Sequence, residues 1–179
     1  MKHCSICGAL LEYRIPDGDN LPRYVCPQCQ EIHYQNPKLV IGCIARWESK
    51  ILLCRRAIEP QYGLWTLPAG FMENGETTAE AARRETLEES CAEVVIDGLY
   101  RLVNIAHINQ VHLFYRAHLL APVFGPAPES LETALFSETE IPWEKLAFRS
   151  VALCLKDYVT DCHQDNDFAF REHTLEKLL

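Results

Sequence analysis

Two close cysteine pairs set the strongest limit on how this chain can fold. Cys4-x-x-Cys7 and Cys26-x-x-Cys29 place four of the nine cysteines within the first 29 residues, while Cys43, Cys54, Cys91, Cys154 and Cys162 are scattered. The two-pair spacing is that of a structural zinc site. Two thiolates three residues apart in a tight turn can face one ion at about 2.3 Å, and a second pair completes the tetrahedron. Gly8 follows the first pair, where such a turn needs positive φ. A segment this short buries too little core to fold alone, so the metal would supply folding energy. Four thiolates leave no open coordination position, which points to a structural ion. The alternative is a set of disulfides or free pairs. An odd cysteine total and the polar start Met1-Lys2-His3-Cys4 weigh against it, and make a cytoplasmic location the expectation. No βαβ pattern surrounds either pair, so a redox motif is not indicated. The scattered cysteines read as small buried apolar residues.

The length of 179 residues suits one ordinary domain with a small appendage. No apolar run approaches the ~18 residues of a membrane helix. With 25 acids against 17 bases and a net charge of −8, a broad nucleic-acid surface is disfavoured, since that needs clustered Lys and Arg. A small phosphorylated substrate held through a metal ion remains compatible with this balance.

Along the chain, residues 1–35 are turn-rich, with strand-like pieces at Leu10–Arg14 and Arg23–Val25. Asn36-Pro37 marks a boundary, because the residue before proline is pushed out of the helical region. Leu39–Trp47 and Ile51–Cys54, joined by Glu48-Ser49-Lys50, read as a hairpin. Gly63, Gly70 and Gly75 punctuate a short strand and two loops. A helix starts at Thr77, where Thr77 and Glu80 form a capping box, and runs to about Ser90. Leu99–Asn109 and Val111–Leu120 are β-rich, and Leu131–Phe136 is a short strand. Trp143–Tyr158 has helical apolar spacing. The polar tail, residues 161–179, reads as a short helix from Glu172.

The richest segment runs from Gly70 through Glu76 to Glu89. At 100° per residue, Glu85, Glu88 and Glu89 share about one-third of the helix circumference. Like charges at i,i+4 are unfavourable on a bare helix, so this face either is a solvated acidic surface or holds a cation. Magnesium prefers oxygen ligands and commonly bridges carboxylates to substrate phosphates. Arg84 stands beside Glu88 and can reach Glu76, fixing the loop to the helix by a bidentate pair.

Residues 70–92 resemble the Nudix box, G-x5-E-x7-R-E-U-x-E-E-x-G-U with U apolar. Gly70, Glu76, Arg84, Glu85, Glu88 and Glu89 are all in register. Thr86 replaces the usual aliphatic residue and Cys91 the second glycine. With the cysteine pairs ahead of it, the chain is similar to the zinc-ribbon Nudix group that includes the NADH pyrophosphatases. His33-Tyr-Gln-Asn-Pro-Lys38 and Leu64-Trp-Thr-Leu-Pro-Ala-Gly-Phe-Met72 look closer to a branch of FAD and ADP-ribose pyrophosphatases.

The resemblance implies an α/β fold: an α/β/α sandwich with a mixed sheet, residues 36–160, preceded by a small β-rich zinc ribbon, residues 1–35. It implies metal-dependent hydrolysis of a nucleoside diphosphate linked to another group. Metal ions, Mg2+ or Mn2+, would lower the pKa of the attacking water, and a carboxylate would take its proton. By resemblance, Glu85 and Glu89 are the main ligands, Glu88 is a ligand or the base, and a carbonyl near Gly70 contributes. A glutamate from a later loop joins them, Glu129 first and Glu132 second. The Ser-Gln-Pro-Trp-Pro-Phe-Pro-x-Ser element of NADH pyrophosphatases is missing; Asn104–Gln110 occupies its place. This favours FAD or ADP-ribose over NADH. His107, Asn109 and Gln110 are pocket candidates or ordinary turn residues. Trp65 and Tyr62 are candidates to stack on a base, or core. Relatives are often homodimers, and a homodimer is therefore implied. The rival reading is RNA-end decapping with the ribbon as a nucleic-acid module; Lys2, Arg14 and Arg23 make a thin basic set for it.

Overall fold

The computed structural model describes residues 1–164 and 168–177. They form two compact units, Met1–Pro37 and Lys38–Leu179. In the first, β1 (Glu12–Arg14), β2 (Arg23–Val25) and β3 (Ile32–His33) form an antiparallel three-stranded sheet. Both cysteine turns close in the same way. The Gly8 amide donates to Cys4 O and the Gln30 amide to Cys26 O, each at 3.0 Å. Each turn ends on a left-handed residue, Gly8 at φ 77° and Gln30 at φ 63°. The expected positive φ at Gly8 is present.

The second unit is built on an eight-stranded mixed sheet. Its strands are β4 (Lys38–Trp47), β5 (Lys50–Arg56), β6 (Trp65–Thr66), β7 (Ala69–Phe71), β8 (Val94–Ile105), β9 (Gln110–Leu119), β10 (Ser130–Phe136) and β11 (Arg171–Thr174). The order is β10-β5-β4-β9-β8-β11, with β6 beside β5 and β7 beside β4. The β4–β9 and β8–β11 pairs are parallel, and the others are antiparallel. Helices α1 (Thr78–Ser90) and α2 (Arg149–His163) cover the two faces. Strand alternation sorts the core. Ile41, Cys43, Ala45 and Leu52 pack with Ala81 and Ala82 of α1. Ile44, Ile51 and Leu53 face Val151, Cys154 and Leu155 of α2. This is the α/β/α sandwich.

Helix α1 begins as its sequence dictates. Thr77 is the N-cap, and the capping box with Glu80 is formed. Its end is held by Cys91 in the left-handed region at φ 53°, with the Cys91 amide donating to Leu87 O at 2.8 Å. The cysteine thus adopts the conformation that glycine would favour there.

Two expectations need correction. The helix expected over 143–158 is divided. Trp143–Lys145 is one turn of 3-10 helix, and α2 starts only at Arg149. Between them Leu146 pairs with Trp65, and the Ala147 amide donates to Trp65 O at 2.8 Å. Backbone groups used in that pairing cannot also close a helix. The tail is not helical from Glu172. Arg171–Thr174 is strand β11, parallel to β8, because the edge of β8 offers unpaired amides and carbonyls. Residues 165–167 and 178–179 of the expected tail lie outside the described residues.

An ionic cluster anchors this strand. Arg101 on β8 is fully buried. Its Nε donates to Asp157 Oδ2 at 2.6 Å and its Nη2 to Asp161 Oδ2 at 2.9 Å. Arg171 of β11 donates to the other oxygen of Asp161 at 2.6 Å. Sheet, α2 and β11 thus meet at one aspartate.

Candidate active site

The loop before α1 and the first turns of α1 are tied together by one side chain. Arg84 makes five hydrogen bonds: Nε and Nη2 to Glu76 at 3.0 and 2.7 Å, Nη1 to Glu85 at 2.7 Å and Glu88 at 2.9 Å, and Nη2 to Phe71 O at 3.1 Å. Five is the full donor capacity of a guanidinium. The Glu76 carboxyl is held down at about 2, first by Arg84 and then by the Glu73 amide.

Glu85 and Glu89 point inward from α1 and are buried, whereas the Glu88 side chain is 58 % exposed. Glu89 Oε2 accepts from the Ala69 amide at 3.1 Å. Burial, then the charges of Glu85 and Glu129, push the Glu89 carboxyl up to about 8 against the opposing pull of Ala69 and Arg56. Burial also raises Glu85, although Arg84 opposes it. Two carboxylates raised toward neutrality by burial, with further help from neighbouring glutamate charges, are a donor set suited to a divalent cation. Gly70 completes the fit. A Cβ there would overlap the Glu85 carboxylate, so only glycine lets that carboxylate lie against the β7 backbone.

These groups line an open cleft of about 900 Å³. Gly70, Arg84, Glu85, Glu88, Glu89, Glu129 and His107 all border it. Glu129 stands in the loop before β10, where its carbonyl accepts from the Ala57 amide at 2.8 Å. Glu132 is turned to Arg55, at 3.6 Å, and is outside the lining.

Three substrate-side expectations are revised. Trp65 is buried and meets Phe136 edge-on at 4.8 Å between centroids, so it belongs to the core rather than to a stacking surface. Asn109 is a left-handed turn residue at φ 54°, and its carbonyl accepts from the Lys38 amide. Its role in the structure is to turn the chain into β9. Tyr62 is exposed and does not line the cleft.

Other lining residues had not been singled out. They include Arg56, whose guanidinium lies 5.0 Å over the Phe148 ring, together with Arg149, Ser150 and His112. The alternation of β9 could have found His112, two residues from Gln110 on the same face. Nothing local could have found the α2 residues.

In the N-terminal unit, the Sγ atoms of Cys4, Cys7, Cys26 and Cys29 lie within 4.8 Å of one another. Cys4–Cys29 is 3.6 Å and Cys7–Cys26 is 3.4 Å, close to the roughly 3.8 Å edge of a tetrahedron with ~2.3 Å metal–sulfur bonds. The Cys7 and Ile6 amides, with His33 Nε2 at 3.4 Å, bring the Cys4 thiol down to about 6 against burial. The four sulfurs are positioned to hold a metal ion.

Comparison with known proteins agrees with both units. The Nudix N-terminal zinc-ribbon family model matches residues 2–35, and the NUDIX domain model matches residues 36–152. The crystal structure of a NUDIX hydrolase from Nitrosomonas europaea is 53% identical, with a TM-score of 0.96, covering 99% of this chain and 100% of that one. The NAD-capped RNA hydrolase NudC of Photobacterium profundum is 27% identical over 140 residues, 78% of this chain and 51% of that protein. The ADP-ribose pyrophosphatase of Methanocaldococcus jannaschii is 42% identical over 57 residues, 32% of this chain and 34% of that protein. The matched part therefore spans about half and about a third of these two curated relatives.

Proposed function

This chain belongs to the Nudix family, and we propose that it hydrolyses the pyrophosphate bond of a nucleoside diphosphate linked to another group, releasing a nucleoside monophosphate. The observation that carries this is the pair of buried carboxylates, Glu85 and Glu89, both raised by burial, beside Gly70 in an open cleft. Glu85, Glu88, Glu89, Glu129 and the Gly70 carbonyl hold the divalent cation, Mg2+ or Mn2+. When bound, the cation neutralises phosphate charge and acidifies the attacking water. Glu88, the most exposed of the three helix carboxylates, takes the proton and passes it to solvent. Arg84 and Glu76 hold the loop and the carboxylates in place. His107 contacts the group beyond the phosphates. Cys4, Cys7, Cys26 and Cys29 hold a structural Zn2+ that organises the ribbon.

FAD and ADP-ribose are the favoured substrates. The name of the Methanocaldococcus relative supports ADP-ribose. A second reading has its own support: the Photobacterium relative is named for capped RNA. The working form is a homodimer in the cytoplasm; no described helix is long and apolar enough to cross a membrane. A panel of FAD, ADP-ribose, NADH, dinucleoside polyphosphates and capped RNA, each with Mg2+, tests the assignment. AMP release from FAD or ADP-ribose supports it. Release from capped RNA alone supports the second reading.

A further inference from the structure

Gln110, His112 and Phe114 alternate along β9 and share one face, and all three line the cleft. His112 is buried. Its Nδ1 lies 3.1 Å from Ser150 Oγ, and its Nε2 lies 3.0 Å from Gln110 Oε1. Neither partner is charged, and burial pushes the imidazole down to about 4, so the ring is neutral at pH 7. A neutral imidazole has one donor and one acceptor. The Gln110 oxygen can only accept, so Nε2–H donates to it and Nδ1 accepts the Ser150 hydroxyl proton. The Gln110 carboxamide is then held by its oxygen. Its two N–H groups have no protein acceptor among the described residues. Burying such a chain carries a desolvation cost that an apolar trio would avoid, yet the wall around it contains Val40, Ile105 and Val151.

We infer that the Ser150–His112–Gln110 chain is a specificity relay that fixes the Gln110 amide as a hydrogen-bond donor to the non-phosphate part of the substrate, a planar heteroaromatic ring with a carbonyl or imine edge. Ile108, Phe148 and Leu175 line the same cleft and offer apolar surface for such a ring. The inference rests on the pyrophosphatase reading above. Gln110 is the contacting residue; His112 and Ser150 position it.

The test uses the full-length, metal-loaded protein with FAD and ADP-ribose as probes, measuring both equilibrium binding and hydrolysis. Gln110→Ala weakens Kd and raises KM for the better probe by about tenfold, the worth of one good hydrogen bond. Ser150→Ala weakens them by roughly threefold, and the double variant is no worse than Gln110→Ala alone, as expected of coupled sites. The kcat values stay near wild type, and the thermal midpoint falls in both single variants because each leaves one buried His112 nitrogen without its partner. Unchanged binding in Gln110→Ala, or losses that multiply in the double variant, would overturn the relay. If wild type binds a probe with this pattern but hydrolyses neither, the relay stands and the pyrophosphatase reading falls. If it binds neither, the relay falls as well.

Discussion

Arg84 grips Glu76 through two parallel hydrogen bonds, 3.0 and 2.7 Å, spanning the loop between β7 and α1. Because the same guanidinium also holds Glu85, Glu88 and the Phe71 carbonyl, it sets the geometry of the carboxylate cluster. Lysine keeps the charge but cannot reproduce the fork. Arg84→Lys therefore lowers turnover by roughly 100-fold, the cost of a misplacement near 1 Å. Steady-state kinetics beside a far-UV spectrum check this, with the spectrum unchanged.

Gly70 gives a second prediction. A side chain there displaces the Glu85 carboxylate. Gly70→Ala weakens Mn2+ or Mg2+ binding by roughly 10- to 100-fold, as disturbance of a ligand's support typically does. A direct metal titration reads this, and substrate saturation does not rescue it.

The raised carboxyl of Glu89 predicts a pH dependence. Its folded value, about 8, lies above the ordinary 4.5. Metal-free stability from this group is thus fully present below 4.5 and is lost as pH rises through about 8. Thermal midpoints of the metal-free protein fall over that window, and Glu89→Gln flattens the fall. Metal binding displaces the proton, so Mg2+ affinity rises between pH 7 and 8. His112 acts on the acid side. Its folded value, about 4, lies below the ordinary 6.5, so its contribution is present above 6.5 and lost as pH falls through 4.

Arg101 is fully buried between Asp157 and Asp161. Arg101→Ala removes the buried partner of Asp157 and one of the two arginines on Asp161, which keeps Arg171 and the Tyr100 hydroxyl. It costs about 3 kcal/mol, the lower end for breaking a buried ion pair. Chemical denaturation measures the loss. Hydrogen exchange shows it spreading to β11, which Asp161 ties down through Arg171.

The elements that were legible in the sequence are those fixed by neighbours in the chain. The capping box of Thr77 and Glu80, the Arg84 reach to Glu76, the β4–β5 hairpin and the cysteine turns all depend on spacings of a few residues. What was hidden depends on distant partners. Leu146 and Ala147 leave the helix because Trp65, far upstream, takes their backbone groups. The polar tail becomes a strand because β8 has a free edge. Trp65 has the look of a stacking residue until Phe136 is seen against it. His112 gained meaning only when α2 brought Ser150 to its other nitrogen.

The proposed role of Glu85, Glu88 and Glu89 is metal-dependent pyrophosphate hydrolysis. The most direct measurement is AMP release from FAD and ADP-ribose with Mg2+ by wild type, Glu88→Gln and Glu89→Gln, each with its thermal midpoint. Wild type is expected to release AMP, and both variants to lose orders of magnitude in rate while staying folded. Near-full turnover in both variants would contradict that role.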